Sequence, residues 1–205
     1  MSVAKKIGWV ALSAVILSGS GCGLQSRRDL NVANPQGSAG LMNFTQAVTS
    51  LEAMTGVDGD SVGSLRSYKN IAIAFLSAEG DVLSLTPTYL LVSIGIVGGY
   101  CNQGVNAAVD SDPLSRVFLK ESLLGLGPAP APVLDDLTAS RVSAIAADLS
   151  NACLERGLSS EELGIITGFV AEAKAAATAS PAAEFKRVVA QMCTLVCASF
   201  DALRF

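Results

Sequence analysis

The fold of this chain is decided by residues 86–110, TPTYLLVSIGIVGGYCNQGVNAAVD. Thr86 followed by Pro87 is a typical helix start, because the threonine side chain caps free N–H groups and proline fits the first turn. No residue from 82 to 109 is charged, yet polar amides near the end shorten the apolar part to about 14 residues, fewer than a bilayer requires. We predict a buried core helix, with a membrane span or the wall of an apolar ligand pocket as alternatives. The glycines Gly95, Gly98 and Gly99 indicate close approach by neighbouring helices.

Apolar residues recur at helical spacing on both sides of this stretch, and strand signals are almost absent. The further stripes run over residues 41–54, 62–76, 114–124, 137–153, 163–173 and 185–203. Predicted helix caps are Asp112, Asp135 or Asp136, and Ser159 with Glu162; predicted stops include Gly56, Gly125 and Gly157. We therefore predict an all-α fold, a single compact, bundle-like domain of about seven helices over residues 41–205. The Pro-rich connector after Gly127 separates its subregions, 41–125 and 134–205.

The N-terminus has the layout of a secretory signal peptide. Lys5 and Lys6 precede an apolar run over residues 7–17, and small residues lead to Cys22. Small residues before a cysteine resemble the lipobox of bacterial lipoproteins. That resemblance implies cleavage of residues 1–21 and acyl chains, including palmitate, on Cys22, which anchor the protein in a lipid bilayer of the cell envelope. Residues 22–40 are polar and rich in Gly, Ser and Asn, which is typical of a flexible tether.

The lipobox resemblance leaves alternatives open. Gly19 occupies a position where the lipobox usually has leucine. Ordinary cleavage near Gly21 or Gly23, or an uncleaved anchor, would also fit the apolar run. In each case the segment indicates export, and the resemblance covers only the first 22 residues.

The charge balance indicates which partners to expect. The chain carries a formal charge of −4, which becomes −6 when Lys5 and Lys6 leave with the signal peptide. An acidic chain with scattered basic residues lacks the electrostatic footprint of a nucleic-acid binder. The expected partners are therefore the bilayer and another envelope protein.

Four further cysteines predict disulfides in an oxidising compartment. Cys101, Cys153, Cys193 and Cys197 allow three pairings. A Cys193–Cys197 bridge is disfavoured because both residues lie on one face of one helix. Cys101 and Cys153 then each pair with one of the last two, and the order stays open. Four buried free thiols are the alternative; a four-cysteine metal site is disfavoured because the paired knuckle spacings are missing.

We find no assembled catalytic or cofactor-binding motif. The chain has no histidine, which excludes Ser-His-Asp and Cys-His catalysis. Asp58 and Asp60 begin like a calcium loop, but Val62 and Lys69 occupy ligand positions, so we interpret them as a polar turn. Glu121-Ser122 resembles the Glu-Ser pair of lytic transglycosylases, although the later motifs of that family do not follow.

These observations favour a non-catalytic envelope lipoprotein that serves as a protein-interaction or structural accessory, without a cofactor or metal. It would face the periplasm or the cell surface. One alternative is a carrier or sensor of an apolar ligand held beside the uncharged helix. A more distant alternative is a transglycosylase-like enzyme that uses Glu121.

Overall fold

The computed structural model describes residues 41, 43–61, 86–154, 156–178 and 181–199. All regular structure in these residues is helical, so the predicted all-α class is confirmed. The five α-helices are α1 (Phe44–Thr55), α2 (Pro87–Asp110), α3 (Ala139–Cys153), α4 (Ser160–Ala176) and α5 (Pro181–Cys197). Two single-turn 3-10 helices cover Gly59–Ser61 and Leu134–Asp136. The predicted helix at 62–76 lies outside the described residues, and the one at 113–125 is absent, as explained below.

Helix α2 is the core helix that the sequence predicts. The Thr86 hydroxyl accepts a hydrogen bond from the Tyr89 N–H at 3.0 Å, which caps the first turn. One face of α2 is buried along its whole length, whereas Leu91 and Ile94 on the other face are exposed. No described helix is both long enough and apolar enough to cross a membrane.

Helix α5 is the centre of the packing. It lies against α2 over much of its length and also contacts α3 and α4. Its side chains Phe185, Val188, Val189 and Met192 are fully buried. Burial of each such side chain stabilises the fold by about 2 kcal/mol relative to exposure. Helix α1 covers another part of α2, and α4 packs against α3.

Several predicted helix ends are confirmed. Helix α1 ends at Gly56, whose φ of 68° needs a residue without a side chain. Helix α4 begins with the predicted capping box, in which Ser159 and Glu162 exchange hydrogen bonds. The Arg156 guanidinium and the Ser159 N–H hold the pKa of the Glu162 carboxyl down at about 2.

The start of α3 differs from the prediction. Asp135 and Asp136 lie in the preceding 3-10 turn, where the Asp136 carboxylate accepts the Val133 N–H at 2.8 Å. That carboxylate therefore stabilises the turn, and Thr138 caps α3 instead by accepting from the Arg141 N–H. The helix ends at Cys153, short of the predicted stop at Gly157.

Two glycines of α2 differ in the space around them. A Cβ atom at Gly98 would lie 3.7 Å from the nearest atom of Thr194, an ordinary contact, so close approach does not explain this glycine. A Cβ atom at Gly104 would lie 3.1 Å from Thr55 and 3.2 Å from Phe118. Thr55 is buried and donates its hydroxyl to the Leu51 carbonyl at 2.7 Å, so it cannot move away easily. Of these two glycines, Gly104 is therefore the one that neighbouring side chains approach closely.

We expect alanine to have opposite effects at these two sites. Gly98→Ala should raise the free energy of unfolding by about 0.5–1 kcal/mol, because alanine favours the helix and the site has room. Gly104→Ala should lower it by about 1 kcal/mol, because overpacking against Thr55 outweighs the same helix preference. Urea denaturation of the two variants beside the wild type measures both effects. Shifts of the same sign would contradict this account of the packing.

Candidate functional site

Residues 111–126, which we call the Arg116 segment, connect α2 to the Pro-rich connector. The sequence predicts a helix here, capped by Asp112 and ended by Gly125, but the structure forms successive turns, so this prediction is wrong. The Asp112 carboxylate accepts the Leu114 N–H at 2.8 Å, which closes a turn. Leu119 has a φ of 54°, in the left-handed region, and the helical hydrogen-bond pattern cannot run through it.

The Arg116 segment exposes three large apolar side chains. Leu114 is 87% exposed, Val117 73% and Leu124 63%. Other apolar side chains of the segment point into the core, namely those of Phe118, Leu119 and Leu123. The three exposed side chains therefore project from a segment whose neighbouring residues are anchored in the core. Exposed apolar groups held in this way are typical of interaction sites.

A buried arginine determines the conformation of this segment. Arg116 is only 4% exposed, and its guanidinium donates hydrogen bonds to four main-chain carbonyls. Its Nε donates to Ala108 at 2.5 Å and its Nη1 to Leu123 at 2.7 Å. Its Nη2 donates to Leu126 at 2.5 Å and to Ser111 at 3.4 Å. One side chain thus ties the end of α2 to both ends of the segment.

These bonds hold the turns of the segment together. A charged donor forms stronger hydrogen bonds than a neutral amide, and its acceptors lie in α2 and at both ends of the segment. Burial lowers the pKa of Arg116, but arginine starts so high that it stays charged at neutral pH. The Ser122 N–H donates to the Asp148 carboxylate at 3.0 Å, which fastens the segment to α3 as well.

Two disulfides lie in the core. Cys101–Cys193 joins α2 to α5, and Cys153–Cys197 joins α3 to α5. This is one of the two connectivities that the sequence leaves open. Cys193 and Cys197 share one face of α5, and each bonds to a different helix, so α5 is covalently linked to both of its main neighbours.

The two disulfides are neighbours in space. The Sγ atoms of Cys101, Cys193 and Cys197 all lie within 4.8 Å of one another. The Met54 Sδ lies 3.2 Å from the Sγ of Cys153 and 4.0 Å from that of Cys197. We call these five residues the sulfur cluster. Within the described parts of the chain, Cys101, Cys193 and Cys197 form the only group of three or more side chains close enough to share a metal ion, but disulfide sulfurs are not the thiolates that bind metals.

The acidic turn after α1 is attached to α1 and α2 by hydrogen bonds. The Asp58 carboxylate accepts the Asp60 N–H at 2.9 Å, as expected for the predicted polar turn. Glu52 accepts the Gly59 N–H at 2.9 Å and the Tyr100 hydroxyl at 3.3 Å. Burial, followed by the charge of Glu52, raises the pKa of Tyr100. The phenol therefore stays protonated and fastens this turn to the middle of α2.

No family model, curated protein or solved structure matches this chain. A functional interpretation therefore rests on the residues themselves.

The remaining predicted positions give a mixed result. Glu121 is exposed and lies in the turns of the Arg116 segment. The transglycosylase resemblance thus finds no support at this residue. Cys22, the signal peptide at 1–21 and the tether at 22–40 lie outside the described residues, and their assignment stays a prediction.

The roles of two residues in these sites were not predicted from the sequence. Arg116 precedes Val117 and Phe118, and a single arginine beside apolar residues reads as a surface residue of an amphipathic helix. Met54 fits the apolar stripe of α1, and nothing in the sequence relates it to cysteines about a hundred positions away. The only local signal is the pair of opposite charges, Asp112 and Arg116, at the start of a segment that also carries Lys120 and Glu121.

Proposed function

We propose that this chain is a non-catalytic lipoprotein of the bacterial cell envelope whose helical domain binds another envelope protein. It is exported, anchored through acyl chains on Cys22, and docks its partner on the exposed apolar side chains of the Arg116 segment. Neither a cofactor nor nucleic acid takes part.

The proposal rests on one observation: apolar side chains are exposed on a segment whose backbone is held in place. Leu114, Val117 and Leu124 are exposed, whereas the backbone that bears them is held by the buried Arg116. A backbone that is already ordered loses little conformational entropy on binding, which favours affinity. Removal of two leucine side chains and one valine side chain from water can contribute several kcal/mol to an interface.

The anchor has support from the sequence alone. The basic start, the short apolar run and the small residues before Cys22 occur in the order that lipoprotein export requires. Two or more acyl chains hold a protein stably on a bilayer, whereas one chain binds only weakly. Mass spectrometry of the mature N-terminus tests this part: we expect an acylated Cys22, and an unmodified Cys22 or cleavage elsewhere would refute it.

The docking part is tested with a triple variant of the full-length chain, Leu114→Ser, Val117→Ser and Leu124→Ser. The three side chains are exposed, so we expect the fold to tolerate the changes. Cross-linking in intact cells, followed by quantitative mass spectrometry, compares the proteins recovered with each variant. We expect the triple variant to lose at least about tenfold of the partner that the wild type captures, because each lost apolar contact contributes about 1 kcal/mol.

Ile165→Ser is the matched control. Ile165 is also a large apolar side chain that is more than half exposed, but it lies on α4. We expect this variant to capture the same partner as the wild type. Equal capture by the wild type and the triple variant would exclude the Arg116 segment as the docking surface.

The apolar-ligand carrier remains a prediction from the uncharged sequence of α2. Its test is binding of a fluorescent fatty acid to the purified domain, with displacement by unlabelled ligand.

A further inference from the structure

We propose that the two disulfides form one thiol–disulfide exchange site, which a thiol enters at Cys153 and which connects through Cys197 to the buried Cys101–Cys193 bond. The substrate class is a small-molecule or protein thiol. Nothing in the proposed docking function requires this chemistry, so the two proposals stand or fall independently.

The four cysteines differ in their access to solvent. Cys153 is the last residue of α3 and is partly exposed. Cys101 and Cys193 are fully buried, and Cys197 nearly so. An attacking thiolate must reach a sulfur atom directly, so access selects the site of attack. Cys153 is therefore the entry point to the sulfur cluster.

The first step is an ordinary exchange. A thiolate RS⁻ attacks the Sγ of Cys153, a bond forms between R–S and Cys153, and the Cys153–Cys197 bond breaks. The electron pair of that bond leaves on Cys197 as a thiolate. Cys153 is now part of a mixed disulfide, and the number of disulfide bonds is unchanged.

The second step follows from the distances within the cluster. The Sγ of Cys197 lies within 4.8 Å of the sulfurs of both Cys101 and Cys193, so its thiolate reaches the second disulfide without any opening of the fold. Attack on Cys101 forms Cys101–Cys197 and releases Cys193 as a thiolate. Attack on Cys193 is disfavoured, because it would bridge two positions on one face of α5. The step needs no external oxidant or reductant.

The wild-type chain tests both steps with glutathione as the probe. The folded protein is incubated with reduced glutathione at pH 8, quenched with iodoacetamide and mapped by tandem mass spectrometry. Cys193 and Cys197 fall on one tryptic peptide, after Arg187, so fragment ions are needed to separate them. We expect the adduct on Cys153 and the alkylated thiol divided between Cys193 and Cys197.

Two outcomes would overturn the proposal. An adduct that forms first on Cys101 or Cys193 would show that Cys153 is not the entry point. Alkylation of Cys197 alone, at every incubation time, would show that the second disulfide does not exchange.

A pair of variants tests the second step without any added thiol. Cys153→Ser leaves Cys197 as a free thiol beside the intact second disulfide, and Cys153→Ser with Cys197→Ser removes that thiol. Both lack the same disulfide, so their stabilities are closely matched. We expect the single variant to contain both Cys101–Cys193 and Cys101–Cys197, and the double variant only the former. If the single variant also contains Cys101–Cys193 alone, the exchange does not occur.

Discussion

Replacing Cys101 and Cys193 together by alanine is expected to lower the free energy of unfolding by about 4 kcal/mol. The bond joins residues separated by 92 positions, and it links the two helices that pack most extensively, α2 and α5. A cross-link over so long a loop restricts the unfolded chain strongly, and its loss restores that entropy to the unfolded state. Guanidinium denaturation of the double variant beside the wild type measures the change.

The second disulfide provides the comparison. Cys153–Cys197 joins residues separated by 44 positions, so the same entropic argument predicts a slightly smaller loss when both become alanine. The slope of unfolding free energy against denaturant should rise in both variants, because the unfolded chain then exposes more surface. An unchanged midpoint in the Cys101–Cys193 variant would contradict the assignment of this bond as a main source of stability.

Arg116→Met is expected to lower the free energy of unfolding by about 3 kcal/mol. Methionine has a similar length and keeps much of the packing, but it cannot donate to the four carbonyls that the guanidinium serves. The Leu123 carbonyl would keep only the Leu126 N–H, and the other three carbonyls would lose a charged donor in a buried or half-buried position, which is costly. The turns of the Arg116 segment should loosen first, and faster amide hydrogen exchange in residues 111–126 would report this.

Lys120→Met is the control for the charge change. Lys120 lies in the same segment and is exposed, so its loss should change the unfolding free energy by less than about 0.5 kcal/mol. The unfolding free energy of Arg116→Lys should lie between those of Arg116→Met and Lys120→Met, because one ammonium group cannot reach four carbonyls on different sides. If Arg116→Met and Lys120→Met prove equally stable, the hydrogen bonds of the guanidinium do not hold the segment.

Much of the fold could be predicted from the sequence because the decisive signals are local. Thr86 with Pro87, and Ser159 with Glu162, define helix starts through contacts within a single turn. The absence of charged residues from 82 to 109 predicted that α2 is a core helix. Gly56 ends α1 because its backbone conformation favours glycine.

The failures occurred where a side chain bonds to the main chain of a turn and not to that of a helix. Asp112 looks like a helix cap, and the following apolar spacing looks like a stripe, but the Arg116 guanidinium joins α2 to the far end of the segment and the backbone between them forms turns. Asp136 similarly has the character of a cap, but its carboxylate closes a preceding turn. In both cases the sequence predicted that an aspartate caps a helix, but its carboxylate closes a turn.

The candidate sites could be predicted only in part. The four cysteines were recognised as disulfide candidates, because their number and the apparent export signal point to oxidation. Their pairing, and the placement of Met54 beside them, depend on how α1, α3 and α5 meet. The exposure of Leu114, Val117 and Leu124 likewise follows from the turns, since the same side chains would cover one face of a helix.

The sequence by itself determined the all-α class, the core helix α2 and some of its neighbours' ends, because helix formation depends on residues within three or four positions of one another. Only the tertiary structure decided which cysteines pair, how near the two disulfides lie, and that Arg116 is buried. These features depend on groups brought together across 44 to 92 positions, or on a side chain that binds main-chain oxygens outside its own turn. Such contacts leave no periodic trace in the sequence, because a single residue on each side is enough to make them.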